Sequence, residues 1–113
     1  MLWAKNASGG SQTQQEINVS TVLSTSEIDL ALQKLPGWTR QGKAIERVFQ
    51  FGNFLEAMEF VNKIAVAAET ANHHPDMVIN YNKVTLALVS HDSGGITQRD
   101  IRMAGRINEI AAG

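Results

Sequence analysis

The sequence predicts an α+β fold: a four-stranded antiparallel sheet with three helices packed on one face, in the order α-β-β-α-β-β-α. Three observations lead there. Two pairs of short strand-like stretches are each joined by a tight turn, at Gly42-Lys43 and at Asn82-Lys83. Three stretches carry apolar residues at helical spacing behind a capping residue. Only the middle helix is long enough to carry a crossover, so the strands are expected to pair as hairpins.

The first helix opens at Ser24, whose partner Glu27 completes a capping box, with Leu23 and Ile28 at the staple positions. Ile28, Leu32 and Leu35 then share one face, and Pro36-Gly37 ends the helix. Trp38 to Gln41 and Ala44 to Phe51 make the first hairpin. Ile45, Phe49 and Phe51 face one way, Glu46 and Gln50 the other. Arg47 interrupts the apolar face, which suits either an edge position or a side chain whose stem is buried and whose head is wet.

Asn53 caps the second helix, with Glu56 three residues on. Its expected core stripe is Phe54, Met58, Val61, Ala65 and Ala68, widened by Leu55 and Ile64. The helix is expected to end near Ala71, because Pro75 forbids its continuation. Met77 to Tyr81 and Val84 to Ser90 form the second hairpin, with Asn supplying the positive φ of the turn. Val84, Leu86 and Leu88 share one face, and Thr85, Ala87, Val89 and His91 the other. Thr97 and Asp100 form a second capping box, and Ile101, Ala104, Ile107 and Ala111 are the stripe of the last helix.

The chain has 113 residues, enough for one domain with one core at 43% apolar residues. Residues 1–22 are rich in Ser, Gly, Gln, Thr and Asn and read as a flexible N-terminal extension to a domain over residues 23–113. Net charge is −1 with no run of either sign, which argues against a nucleic-acid or acidic-membrane binder. The absence of cysteine excludes a disulfide scaffold, a thiolate metal site and a cysteine nucleophile. No stretch approaches the ~20 apolar residues of a membrane span, and the first residues lack the apolar run of a signal peptide. A cytoplasmic protein is expected.

The chemistry concentrates in three imidazoles. His73 and His74 stand side by side at the end of the second helix, and His91 emerges beyond the last strand. Histidine exchanges protons near neutral pH, and adjacent imidazoles titrate as a coupled pair. Brought together, the three would hold both an acid and a base. The bland alternative is that His73 and His74 merely cap a helix C-terminus, and spacing alone leaves both readings open. Zinc is disfavoured, because no His-x-His or His-x3-His pair offers two ligands on one face. Glu69 suits orientation of a histidine or binding of a polar group. Asp100 suits the same role, although its capping box already accounts for it. Asp92 beside His91 has a loop residue as its plain reading, and Ser90 faces away from His91 on a strand.

Taken together, Glu69-x3-His73-His74-Pro75, Tyr81-Asn82-Lys83-Val84, Ser90-His91 and Gly95-Ile96-x3-Asp100 resemble the pterin-4a-carbinolamine dehydratase family, from about Leu23 to the C-terminus. The resemblance implies a four-stranded antiparallel sheet with helices on one face, assembled as homodimers or homotetramers. It implies loss of water from 4a-hydroxytetrahydropterin to give quinonoid dihydropterin, which recycles the cofactor of aromatic amino acid hydroxylases. No metal or organic cofactor is implied. His73, His74 and His91 match the family histidines, with His74 chiefly orienting the pterin and His73 and His91 exchanging protons. Asn72, Ser90 and Asp92 flank them on segments that line the family's pocket, and Glu69 and Asp100 match acidic positions near it. Met77 stands where many members carry a tryptophan. Some relatives act instead as dimerisation partners of a transcription factor or as assembly factors, so a protein-interaction module on the same scaffold is the alternative.

Overall fold

The computed structural model describes residues 20–113. Residues 1–19, which hold Trp3 and most of the expected extension, lie outside the described residues. The elements are α1 (Thr25–Leu32), β1 (Thr39–Gln41), β2 (Ala44–Gln50), α2 (Phe54–Ala71), β3 (Asp76–Asn80), β4 (Lys83–Leu88) and α3 (Gln98–Ala112). The strands form one sheet in the order β1-β2-β4-β3, every neighbouring pair antiparallel. This is the expected class and element order. β2 and β3 both run against β4 and are therefore parallel to each other. The crossover through α2 carries the chain past the slot that β4 later fills.

Ile45 and Phe49 of β2 and Val84, Leu86 and Leu88 of β4 form the buried face of the sheet, under Ala57, Phe60 and Ile64 of α2 and Met103, Ala104 and Ile107 of α3. Local chemistry sets the helix starts as expected. Ser24 Oγ accepts from the Glu27 amide at 3.1 Å, while Glu27 Oε1 accepts from the Ser24 amide at 2.7 Å. Asn53 Oδ1 accepts from the Glu56 amide at 2.8 Å.

Three expectations need correction. The stripe of α2 that meets the sheet is Ala57, Phe60, Ile64 and Ala68, whereas Phe54, Leu55 and Ala65 are exposed and Met58 is half-buried. The helix is apolar on two sides, and packing chose the side with Phe60, whose ring lies 4.8 Å from Phe49 and 5.0 Å from Phe51. In α3 the buried face is Asp100, Met103, Ala104 and Ile107, and Ala111 is exposed.

The second hairpin turns one residue earlier than expected. Asn80 pairs with Lys83, so the loop is Tyr81-Asn82, and Tyr81 carries the positive φ of 54°. Asn82 is held elsewhere: its amide Nδ2 donates to the Phe51 carbonyl at 2.8 Å, and the Phe51 amide donates to the Asn82 carbonyl at 2.8 Å. Of the two settings expected for Arg47 the structure shows the second, since β2 lies inside the sheet and not at an edge. Its guanidinium passes 4.3 Å over the Phe49 ring and donates to the Pro36 carbonyl and Asn108 Oδ1 at 2.8 and 2.7 Å. Stem and ring stay dry while the charged head reaches oxygen.

Candidate active site

Both halves of the site are placed by the way elements end. Asn72 adopts the left-handed conformation, φ 52° and ψ 43°, and so stops α2. The His73 amide then donates back to the Ala68 carbonyl at 3.1 Å. Pro75 keeps the next residues extended, and β3 begins at Asp76. The histidines therefore occupy the short link between α2 and β3, where neighbouring side chains point apart: His73 is buried and His74 is exposed.

His73 meets Asp100, which sits in the first turn of α3 with no solvent exposure. His73 Nε2 lies 2.6 Å from Asp100 Oδ1. An ionised Asp100 accepts, so Nε2 carries a proton, and in the neutral imidazole Nδ1 is then the ring's acceptor. The other carboxylate oxygen, Oδ2, accepts from the Ser90 hydroxyl and from the Thr97 amide, both at 2.9 Å. Since Ser90 spends its one hydrogen on Asp100, Thr97 donates to Ser90 Oγ at 2.8 Å. Thr97, Ser90 and His73 thus all direct hydrogen toward one buried carboxylate, which leaves Asp100 fully bonded, as a buried charge must be.

His91 is exposed one residue beyond Ser90. The strand β4 has already ended at Leu88, so His91 sits on a tight turn rather than on the strand. The turn is closed by the Ser90 amide donating to the Gly95 carbonyl at 3.0 Å and by the Gly94 amide donating to the Ser90 carbonyl at 2.9 Å. Gly94, at φ 82°, supplies the left-handed residue the turn needs. The turn buries Ser90 and presents His91. Its far side is covered by the start of the domain: the Leu23 amide donates to the Ile96 carbonyl at 2.8 Å, and the Val22 side chain lies against Gly95.

The remaining expected residues divide into separate contacts. His74 Nε2 lies 2.5 Å from Glu69 Oε2, an exposed pair that orients the ring as Asp100 orients His73. Asp92 pairs with Arg99 Nη2 at 2.6 Å. The hydrogen bond from Arg99, aided by its charge, holds the Asp92 carboxyl below the usual aspartate value, and the same contact raises the Arg99 guanidinium further. Asn72 acts through its backbone, as the residue that turns the chain into the site.

His73, Ser90 and Asp100 are thus brought into one network, and His74 and Glu69 into a second. Two residues escaped sequence reasoning. Thr97 was legible only as a cap, yet its hydroxyl is also the outer link of the buried chain. Arg99 carried no signal, since a basic residue in a first helical turn has no local partner of its own. A cavity of about 520 Å³ opens beside His73 between α2 and α3, and Arg99 is part of its wall.

Comparison with known proteins identifies the family and the fold. The family model described as pterin 4 alpha carbinolamine dehydratase matches residues 21–110. The chain belongs to that family. A relative from Koribacter versatilis, provisionally named a pterin-4-alpha-carbinolamine dehydratase, is 60% identical over 92 residues, 81% of this chain and 98% of its own length. One of the same provisional name from Thermomicrobium roseum is 51% identical over 90 residues, 80% of this chain and 97% of its own. The crystal structure of a transcriptional coactivator/pterin dehydratase from Brucella melitensis superposes with a TM-score of 0.78 at 39% identity, covering 80% of this chain and 99% of that one. A pterin dehydratase-like RuBisCO assembly factor of the alpha-carboxysome shares the fold at TM-score 0.59 and 22% identity, over 68% of this chain and 92% of that one. His73, His74, His91 and the carboxylates that orient two of them all lie within the matched residues.

Proposed function

We propose that the chain dehydrates 4a-hydroxytetrahydropterin to quinonoid dihydropterin, with the three histidines as its acid–base groups, and so recycles the tetrahydropterin cofactor of aromatic amino acid hydroxylases. Dehydratase activity on a pterin carbinolamine follows from membership of the family. The observation that carries the histidine assignment is the buried His73–Asp100 pair at 2.6 Å, tied through Ser90 to the turn that presents His91.

The reaction breaks the bond from C4a to the hydroxyl oxygen. A proton is delivered to that oxygen, which leaves as water. The N5 lone pair moves into the C4a–N5 bond, and N5 gives up its proton. Positioned proton transfer of this kind contributes ~10²–10⁴-fold. His73 exchanges its proton at Nδ1, because Nε2 is committed to Asp100. His91 is the second proton-exchanging group. His74, held by Glu69, orients the pterin near the leaving oxygen, and Asn72, Ser90 and Asp92 frame the segments around it. Following carbinolamine decay with wild type and with His73→Ala, His74→Ala and His91→Ala tests this. Decay is expected to be fast with wild type and slowed ~10²-fold or more in the His73 variant. A triple variant as fast as wild type would remove the assignment.

The same fold supports self-association, as a homodimer or homotetramer, and a reading as an interaction module. Phe54, Leu55 and Val66 leave α2 with an apolar outer side at 50%, 70% and 69% exposure, and β3 is a sheet edge. Sedimentation of the purified protein tests assembly directly. Among the described residues no helix is long and apolar enough to cross a membrane, which is compatible with a cytoplasmic site of action.

A further inference from the structure

We infer that the cavity between α2 and α3 receives an anionic substituent, a phosphate or carboxylate carried on the pterin side chain, while the ring lies at the histidines. This rests on the pterin reading above. Four of the ten Lys and Arg residues of a chain with net charge −1 converge on this one space. Arg99, Arg102 and Arg106 follow one another at i, i+3 and i+7, so they form a row along one side of α3. Lys63 faces them from α2, and no carboxylate lines the cavity. His73 lines it too, so the space is continuous with the acid–base site.

Like charges at such spacing repel one another, and the row is only partly neutralised. Arg106 reaches Glu109 at a long 3.4 Å and in the open. Arg99 is tied to Asp92 and Ser93 through Nη2, yet its Nε–H is buried with no acceptor among the described residues. A buried donor without an acceptor is costly unless a ligand supplies one. Lys63 and Arg102 take part in no ion pair among the described residues. Ala67 and Met103 add a more buried apolar lining, and the exposed Val66 contributes to the wall. The volume of about 520 Å³ is in the range of small-molecule sites. The chemistry fits an anionic group on an organic body better than a neutral side chain.

The test is a fluorescence titration with pterin-6-carboxylate and with the neutral 6-hydroxymethylpterin, and displacement by inorganic pyrophosphate. Wild type is expected to bind the carboxylate roughly 10-fold or more tightly than the neutral pterin, as charge-assisted hydrogen bonds imply. That preference should shrink as salt is raised and disappear in Lys63→Gln/Arg102→Gln. The charge-conserving Lys63→Arg/Arg102→Lys should restore it, which separates charge from a folding defect. Equal affinity of wild type for the two pterins overturns the anion pocket and leaves the pterin site standing. So does a preference that survives in Lys63→Gln/Arg102→Gln. Binding of pyrophosphate with no binding of either pterin overturns both.

Discussion

Asp100 joins two distant parts of the chain: it caps the helix that carries it and, through Oδ1 at 2.6 Å, fixes the ring of His73, 27 residues earlier. A carboxylate with no solvent exposure is expensive unless both its oxygens are hydrogen-bonded. Here the cap, the Ser90 hydroxyl and the imidazole use them together.

Replacing Asp100 by Asn keeps the shape and removes the charge. The amide can present its NH2 to Nε2 and force the opposite tautomer, or present its carbonyl and accept more weakly. Dehydration is expected to slow ~10²-fold or more, near the low end of what acid–base groups contribute. Stability is expected to drop by about 1–3 kcal/mol, the cost of a buried group left badly paired. Carbinolamine kinetics and urea unfolding measure the two effects, and full activity in Asp100→Asn would show that the pair does not govern His73.

Ser90→Ala deletes the hydroxyl between Thr97 and Asp100. Thr97 then keeps a buried hydroxyl with no acceptor, and a loss of about 1–3 kcal/mol is expected. In the double variant Ser90→Ala/Thr97→Val the orphan is gone, and the combined loss should be less than the sum of the single losses by ~0.5 kcal/mol or more. Urea unfolding of the four proteins gives that coupling; strict additivity would mean the two hydroxyls act independently.

The Asp92–Arg99 contact has a pH signature. The folded Asp92 carboxyl is depressed by the Arg99 hydrogen bond and charge, so its contribution to stability is present above the unfolded aspartate value, about 3.9. It is lost as pH falls through the lower folded value. The contact is therefore intact at neutral pH. Carboxyl carbon NMR should show Asp92 titrating below the ordinary range in wild type and returning toward it in Arg99→Gln. An Asp92 that titrates identically in both would rule the contact out.

Two positive φ angles separate turn-making from contact. At Asn72, φ 52° is easy for Gly and strained for a β-branched residue. Asn72→Gly should leave stability within a few tenths of a kcal/mol, while Asn72→Val should cost roughly 1–2 kcal/mol. If Asn72→Gly folds normally but loses pterin affinity, its side chain also touches substrate. At Tyr81, φ 54°, Gly should gain up to about 1 kcal/mol by relieving the same strain. Thermal unfolding of the three variants measures these effects, and a destabilised Tyr81→Gly would place the strain elsewhere.

Much of this was legible along the chain. Ser24 with Glu27 and Thr97 with Asp100 are contacts within one helical turn, so residue type and spacing suffice to read them. Pro36-Gly37 and Pro75 bar a helix from running through them by their own covalent geometry, although α1 already ends at Leu32 and α2 stops at Asn72. Strand alternation puts Ile45, Phe49 and Phe51 on one face of their strand and Val84, Leu86 and Leu88 on one face of theirs, and all of them but the half-buried Phe51 are buried. The stripe of α2 differs from the expected one because the helix offers two apolar sides and nothing within it ranks them; the aromatic pocket made by Phe49 and Phe51 ranks them in favour of Phe60. The turn at Tyr81-Asn82 lies one residue before its expected place because Asn82 is claimed by Phe51, a partner 31 positions away.

The candidate site divides along the same line. The sequence by itself determined the fold class, the three histidines and the helix end that delivers two of them, since those depend on residue identity and on neighbours within a few positions. Tertiary structure decided that His73 turns inward to Asp100 while His74 turns outward to Glu69. It also decided that Ser90 is buried while His91 is exposed, and that Lys63 faces the arginines of α3. Each of those outcomes is set by which surfaces of α2, β4 and α3 lose water against one another, and burial against a distant partner has no signature in the residues that surround a position along the chain.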